Sequence, residues 1–213
     1  MITVHHLGVS QSERITWLCE ELEIPYTLKR YDRDAITRRA PAAYKALHPM
    51  GIAPVITDGK LVLAESGAIV QYVIAKYGNG RLAIGPEQAN FADYLFWFHF
   101  ANGTMLPSQM SGMISTMLGL KDTDSLMKTM KERSDLSFAL VERRLGEVPY
   151  FAGNELTAAD IMMLFSLSTM RAFAQRDISA LPNTKSYLKR IGERPAYQRA
   201  MSKGDPAMSP LLA

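Results

Sequence analysis

The N-terminal third of the chain alternates between two hydrophobic periods. Ile2 to Leu7 is a short β-branched and apolar run and predicts a strand. Ile15, Leu18, Cys19 and Leu22 then fall at i, i+3, i+4 and i+7, the stripe of an amphipathic helix. Ile24-Pro25 closes that helix, because proline disfavours helical backbone in the residue before it. Tyr26 to Tyr31 predicts a second strand. A polar stretch, Asp32 to Arg39, leads to a short helical segment at Ala42 to Leu47. Pro54 to Leu63 places two apolar runs around Asp58-Gly59, the signature of a hairpin with a type I′ turn. Ala68 to Tyr77 predicts a third helix, closed by Gly78-Asn79-Gly80.

The resulting order, β-α-β-α-β-β-α, specifies a mixed four-stranded sheet with helices packed on it, the thioredoxin-like arrangement. Beyond Gly85-Pro86 the strand signals stop. Helical patterns cover about Glu87 to Leu118, Asp124 to Leu145, Ala158 to Ala174 and Lys185 to Glu193, with a short one after Pro195. Pro107 predicts a kink or break in the first of these. The expected organisation is a thioredoxin-like domain over 1–80, a linker over 81–86 and an all-helical domain over 87–213. The tail from Lys203, with a glycine, two prolines and no periodicity, is expected to lie extended over the surface.

Composition narrows the chemistry. At 213 residues, 47% hydrophobic and 21% charged, the chain is globular rather than disordered or fibrous. Twenty-four Lys+Arg against 21 Asp+Glu leave +3, too little for the broad positive field of a nucleic-acid binder. The basic residues Lys29, Arg30, Arg33, Arg38 and Arg39 are interrupted by Asp32 and Asp34 and read as a solvated face. A single cysteine excludes an internal disulfide framework, a two-cysteine redox couple and multi-cysteine metal sites. His5 and His6 are adjacent on a strand, point to opposite faces and cannot chelate together, so no metal is expected. The start lacks the pattern of a signal peptide, and the longest strongly apolar stretch, Ile161 to Leu167, is too short to span a bilayer. A cytoplasmic protein with no membrane partner is the expectation.

Three segments carry a resemblance that extends over nearly the whole chain. They are Ser10-Gln11-Ser12-Glu13-Arg14-Ile15-Thr16-Trp17-Leu18; His48-Pro49-Met50-Gly51-Ile52-Ala53-Pro54-Val55 followed by Leu63-Ala64-Glu65-Ser66-Gly67-Ala68-Ile69; and Gly153-Asn154-Glu155-Leu156-Thr157-Ala158-Ala159-Asp160-Ile161. In this order and spacing the chain resembles the glutathione transferase family, and its first two segments look most like fungal and bacterial members with a serine at the first helix. The resemblance implies a homodimeric detoxification enzyme with reduced glutathione as co-substrate and no permanently bound cofactor. The glutathione thiolate would add to a hydrophobic electrophile, and a glutathione peroxidase activity would use the same thiolate. A transferase-like binding or regulatory module without turnover, or an apolar-ligand carrier, remains open.

The resemblance also assigns roles, beside which plainer readings stand. Pro54 is expected to be cis, with the Val55 backbone pairing with the cysteinyl part of glutathione; the plain alternative is a trans proline starting an edge strand. Glu65 and Ser66 are expected to receive the γ-glutamyl ammonium and carboxylate, the latter at a helix N-terminus; Ser66 as a simple N-cap is the alternative. Ser10, or alternatively Ser12, is expected to contact the glutathione sulfur and favour thiolate over thiol at the positive end of the first helix. Ser10-x-x-Glu13 also has the form of a capping box. Ile52 stands where relatives carry Lys, Arg or Gln for the glycyl carboxylate, and Arg38, Arg39, Lys45 and His48 are the candidate replacements. Cys19 reads as a buried small hydrophobe, far along the first helix from Ser10. No tyrosine precedes Tyr26, so activation by a first-strand tyrosine is absent. Thr157-x-x-Asp160 reads as a structural capping box. Trp97, Phe100, Met105, Met110 and Met113 are candidates for an adaptable apolar pocket, or else helix-bundle core.

Overall fold

In the computed structural model, which describes residues 1–119, 121 and 123–213, the chain forms two compact units. One comprises residues 1–83 and 192–210, the other residues 84–191 and 211–213. The strands are β1 (Ile2–Leu7), β2 (Tyr26–Tyr31), β3 (Val55–Asp58) and β4 (Leu61–Ala64). The helices are α1 (Glu13–Glu21), α2 (Ala42–Lys45), α3 (Ser66–Lys76), α4 (Phe91–Phe100), α5 (Leu106–Met117), α6 (Ser125–Glu147), α7 (Ala158–Leu167), α8 (Thr169–Ala174), α9 (Pro182–Gly192) and α10 (Pro195–Gly204).

The four strands make one sheet in the order β2-β1-β3-β4, with β2 parallel to β1 and β3 antiparallel to both its neighbours. Strand alternation divides the side chains of β1 between two faces. Ile2, Val4 and His6 share one face and are all fully buried. Leu7, on the other face, joins Tyr31, Val55 and Tyr44 of α2 in a separate core cluster. The stripe Ile15, Leu18, Cys19 and Leu22 is buried as its spacing predicts.

The outer side of α1 is buried as well, because α10 covers it. Trp17 meets Tyr197 edge to face at 5.4 Å. Arg194 grips the Glu21 carboxylate with two N–H donors at 2.7 and 2.8 Å, while Arg199 and Lys203 both donate to Glu20. The expectation that 87–213 form one helical domain is therefore corrected: residues 192–210 belong to the compact unit of the sheet. The tail starts later than expected, since α10 continues through Gly204 and Asp205 is buried, while residues 206–213 form no helix or strand and are exposed or half-buried.

Local chemistry moves several boundaries. Asp58 pairs with Leu61, so the two-residue loop is Gly59-Lys60, and only Gly59 (φ +59°) has positive φ. That is the pattern of a type II′ turn with glycine first, one residue later than the type I′ turn the sequence suggested. The long pattern around Pro107 does break, as a single wide π turn over Ala101–Met105 followed by α5, which carries the proline in its first turn. The pattern over 158–174 divides at Ser168, whose hydroxyl donates to the Leu164 carbonyl at 2.9 Å and competes with helix continuation. Thr157 and Asp160 form the expected capping box at the start of α7. No described helix is long and apolar enough to cross a membrane.

Candidate active site

The sheet register brings three loops to one end of the first unit. β1 ends at Leu7, β3 begins at Val55 opposite His5, and β4 ends at Ala64 opposite Val55. The β1–α1 turn, the turn containing Pro54 and the start of α3 therefore share one edge of the sheet.

The β1–α1 turn is tightly braced. Val9 has φ +51°, the left-handed region, which a β-branched residue adopts only when its surroundings enforce it. Here the Val9 N–H donates to Asp205 at 3.0 Å, while Arg33 donates to the carbonyls of Gly8 and Val9 at 2.8 and 3.2 Å. Ser10 is 6% exposed, at the rim, and Ser12 is fully buried beneath it. The Ser10 hydroxyl donates to the Leu7 carbonyl at 2.6 Å and lies 2.8 Å from the Ser12 hydroxyl. Ser10 does not hold the N-cap position of α1, which the capping-box reading of Ser10 and Glu13 required. Ser12 occupies the N-cap position without a side-chain cap, and only the Ser10 carbonyl accepts from the Glu13 N–H. The turn directs both hydroxyls back toward β1 instead.

The Ala53–Pro54 peptide bond is cis. Val55 is flanked by ladder partners on both sides, His5 and Ala64, and its side chain is buried. Its backbone lies within the sheet, so Ala53 and the cis bond stand just outside the ladder. At the start of α3, Glu65 is exposed with φ +72° and holds the N-cap position, where no side chain caps the first-turn N–H groups. Ser66 is the first residue of the helix, so its reading as the N-cap is corrected. The Ser66 hydroxyl donates to the Gln11 side-chain carbonyl at 3.4 Å and accepts from Arg14 at 3.3 Å, with Arg14 also donating to Gln11 at 2.6 Å. Gln11 and Arg14 thus link the start of α3 to the β1–α1 turn.

The residues around Ile52 are dispersed by comparison. Ile52 is 51% exposed. His48 is partly buried and accepts from the Met50 N–H, and Arg39 is exposed. Lys45 is the cation brought to this turn, since its Cγ lies 3.4 Å from where a Cβ on Gly51 would sit.

In the second unit the five apolar candidates are not brought together. Trp97 and Met105 belong to the core, Trp97 with its ring 4.9 Å from that of Phe151. Met113 helps line a cleft of about 360 Å³ between α5, α6 and the end of α8, together with Met117, Met127, Met130 and Phe173. Phe100 lines a second cleft, of about 390 Å³, with Pro107, Leu136 and Leu140. Met110 is 40% exposed and lines neither.

Sequence reasoning missed His6, Asp205, Gln11, Arg14 and Arg33. His6 had a readable signal, because its parity with Ile2 and Val4 puts a polar ring on a buried face, where it requires a partner. Asp205 had none, as it sits in a segment without periodicity.

A thioredoxin-like sheet unit with a serine-bearing first turn and a cis-proline loop, followed by a helical unit, defines the class of protein. Residues 1–75 match the family model "Glutathione S-transferase, N-terminal domain", and residues 113–199 match "Glutathione S-transferase, C-terminal domain". The chain is 32% identical to glutathione S-transferase 3 of Schizosaccharomyces pombe, over 95% of this chain and 88% of that protein. It is 28% identical to glutathione S-transferase GstB of Escherichia coli K12, over 89% and 91%. A glutathione S-transferase structure from Actinobacillus pleuropneumoniae superimposes with a TM-score of 0.88 at 32% identity, covering 100% of this chain and 99% of that one. The chain belongs to the glutathione S-transferase family and is a glutathione transferase.

Proposed function

We propose that this chain binds reduced glutathione along the shared edge of its sheet and adds the thiolate to a hydrophobic electrophile. The observation that carries the reading is the convergence of the Ser10 turn, the cis Ala53–Pro54 loop and the uncapped start of α3 at one end of the sheet. The γ-glutamyl carboxylate meets the first-turn N–H groups of α3 and the Ser66 hydroxyl, and Glu65 takes the adjacent ammonium. The cysteinyl backbone adds as a strand at Ala53 beside Pro54 and Val55. The glycyl carboxylate, which Ile52 cannot serve, takes Lys45 with His48; Arg39 is the next cation along the chain. The sulfur lies at Ser10, whose hydroxyl turns from the Leu7 carbonyl to donate to it, lowering the thiol pKa toward neutrality. The second substrate is taken to be apolar, and the second unit carries apolar clefts at Met113 and Phe100. The working form is a cytoplasmic homodimer.

Calorimetric titration with reduced glutathione and with S-methyl glutathione tests the site. Saturable one-site binding of both is expected; failure of both to bind overturns the reading. Ser10→Ala is expected to keep glutathione affinity within about threefold and to lose about 10²-fold in the rate of conjugation. An unchanged rate in that variant would remove Ser10 from the mechanism and leave Ser12 or backbone groups as the donor to sulfur.

A further inference from the structure

Behind Ser10 lies a continuous buried chain of hydrogen bonds that ends in a carboxylate. Ser10 Oγ is 2.8 Å from Ser12 Oγ, which is 3.0 Å from His6 Nδ1, and His6 Nε2 is 3.0 Å from Asp205 Oδ2. His6 and Ser12 are 0% exposed and Asp205 is 3% exposed. The Ser12 hydroxyl also accepts from the Leu7 N–H at 3.1 Å, which fixes its oxygen between Ser10 and the imidazole. Gly204 leaves the ring its space, for a Cβ there would sit 3.2 Å from His6 Cε1 and Nε2.

We propose that this chain is a proton relay, in which His6 takes up the proton lost by glutathione at Ser10 and Asp205 holds the imidazolium that results. The inference rests on the glutathione reading of the same site. The transfer balances in three steps. The S–H bond breaks and its proton goes to Ser10 Oγ, leaving the electron pair on sulfur. The Ser10 proton passes to Ser12 Oγ, and the Ser12 proton passes to His6 Nδ1. The products are a thiolate and an imidazolium that donates from Nδ1 to Ser12 and from Nε2 to Asp205. Ser12 now donates to Ser10, so the Ser10 proton turns from the Leu7 carbonyl outward to the sulfur. His6 is a positioning residue, acting through the two serines.

Asp205 is placed for this role. It caps the C-terminal end of α10, where the helix dipole disfavours an anion, so its ionised form depends on other partners. Burial opposes its ionisation, yet the His6 hydrogen bond and charge, the Val9 N–H and the Arg30 charge together hold its carboxyl below the usual range. Arg33 also interacts with Asp205 through its charge, as does the buried Tyr197 of α10.

The test follows the proton as well as the thiolate, using the full chain and reduced glutathione. Thiolate formation is read by its ultraviolet absorbance, and proton release by binding calorimetry in buffers of different ionisation enthalpy. In the native protein, thiolate is expected to form with close to no proton released to buffer; release of one proton per thiolate overturns the relay. Asp205→Asn is expected to raise the apparent pKa of the bound thiol by about one unit, so that about tenfold less thiolate forms at a given pH. His6→Gln, which can donate to Ser12 but accept no proton, is expected to release a full proton for each thiolate that still forms. S-methyl glutathione, which has no proton to lose, should bind all three proteins alike. Native thiolate titration in both variants overturns the relay, and if either fails to fold the proton count of the native protein decides. Absence of glutathione binding to the native protein overturns the functional reading itself, whereas binding as thiolate with one proton released overturns only the relay.

Discussion

The Cys19 sulfur lies on the inner stripe of α1 at 0% exposure, and burial, reinforced by the neighbouring Glu20 carboxylate, pushes its thiol up to about 12. At neutral pH it is therefore a neutral thiol without access to solvent, and reagents that require a thiolate find neither the ion nor the path. Titration of the native protein with an aromatic disulfide is expected to release no chromophore on the timescale of minutes, and one equivalent after denaturation. Fast labelling of the native protein would mean that α1 opens locally. At this scale residue type and spacing were good guides to what is buried and poor guides to direction. The stripe identified Cys19 as core, whereas nothing in Ser10-x-x-Glu13 showed that the hydroxyl turns back to the Leu7 carbonyl. The Val55 backbone, which the resemblance turns toward glutathione, is flanked on both sides by His5 and Ala64. Which side of a proline remains open depends on ladder partners in β1 and β4, and those lie far away in sequence.

The capping box of α7 is the element whose chemistry was read most completely from sequence, because its two members, Thr157 and Asp160, lie three residues apart. Asp160 accepts from the Thr157 N–H at 2.9 Å and from the Phe151 N–H at 3.1 Å, and it is fully buried. Burial outweighs these donors and pushes its carboxyl up to about 6. In the unfolded chain the same group titrates near about 3.9. Between those values the folded protein holds a proton that the unfolded chain has lost. The contribution of Asp160 to stability therefore falls as pH rises from about 4 to about 6, and levels off above that. Asp160→Asn replaces one acceptor oxygen by an amide donor facing an N–H, at an expected cost of about 1–3 kcal/mol at neutral pH. It should also flatten this part of the pH profile. Thermal midpoints of the two proteins across that range check both statements, and an unchanged slope in the variant would assign the dependence to another group. Elsewhere, elements were legible wherever a period ran unbroken, as in β1, β2 and α6. The π turn before Pro107 and the division at Ser168 were less so. Periodicity signals that a helix is interrupted but not which hydrogen bonds replace those it loses.

The whole molecule departs from its sequence outline in one respect, the return of α10 to the first unit. Its stripe of Ala196, Tyr197, Ala200, Met201 and Gly204 is buried, as an amphipathic pattern requires, but such a pattern states only that a face is covered. What covers it is α1, some 180 residues earlier in the chain, where Trp17 awaits a partner and the Glu20 and Glu21 carboxylates await cations. A fragment of residues 1–83 would keep every strand of the sheet and yet lose that cover. Losing the packing of one large buried aromatic costs about 3–5 kcal/mol. That is a large share of the ~5–15 kcal/mol that stabilises a whole domain. Two carboxylates stripped of their arginines add to the loss. The fragment is therefore expected to lack dispersed amide resonances and a cooperative thermal transition. Residues 192–210 rejoined to it through a flexible glycine-serine linker are expected to restore both. A fragment 1–83 that melts cooperatively on its own would show that the sheet and its three helices suffice, and that α10 serves only to deliver Asp205 to the turn beside Ser10.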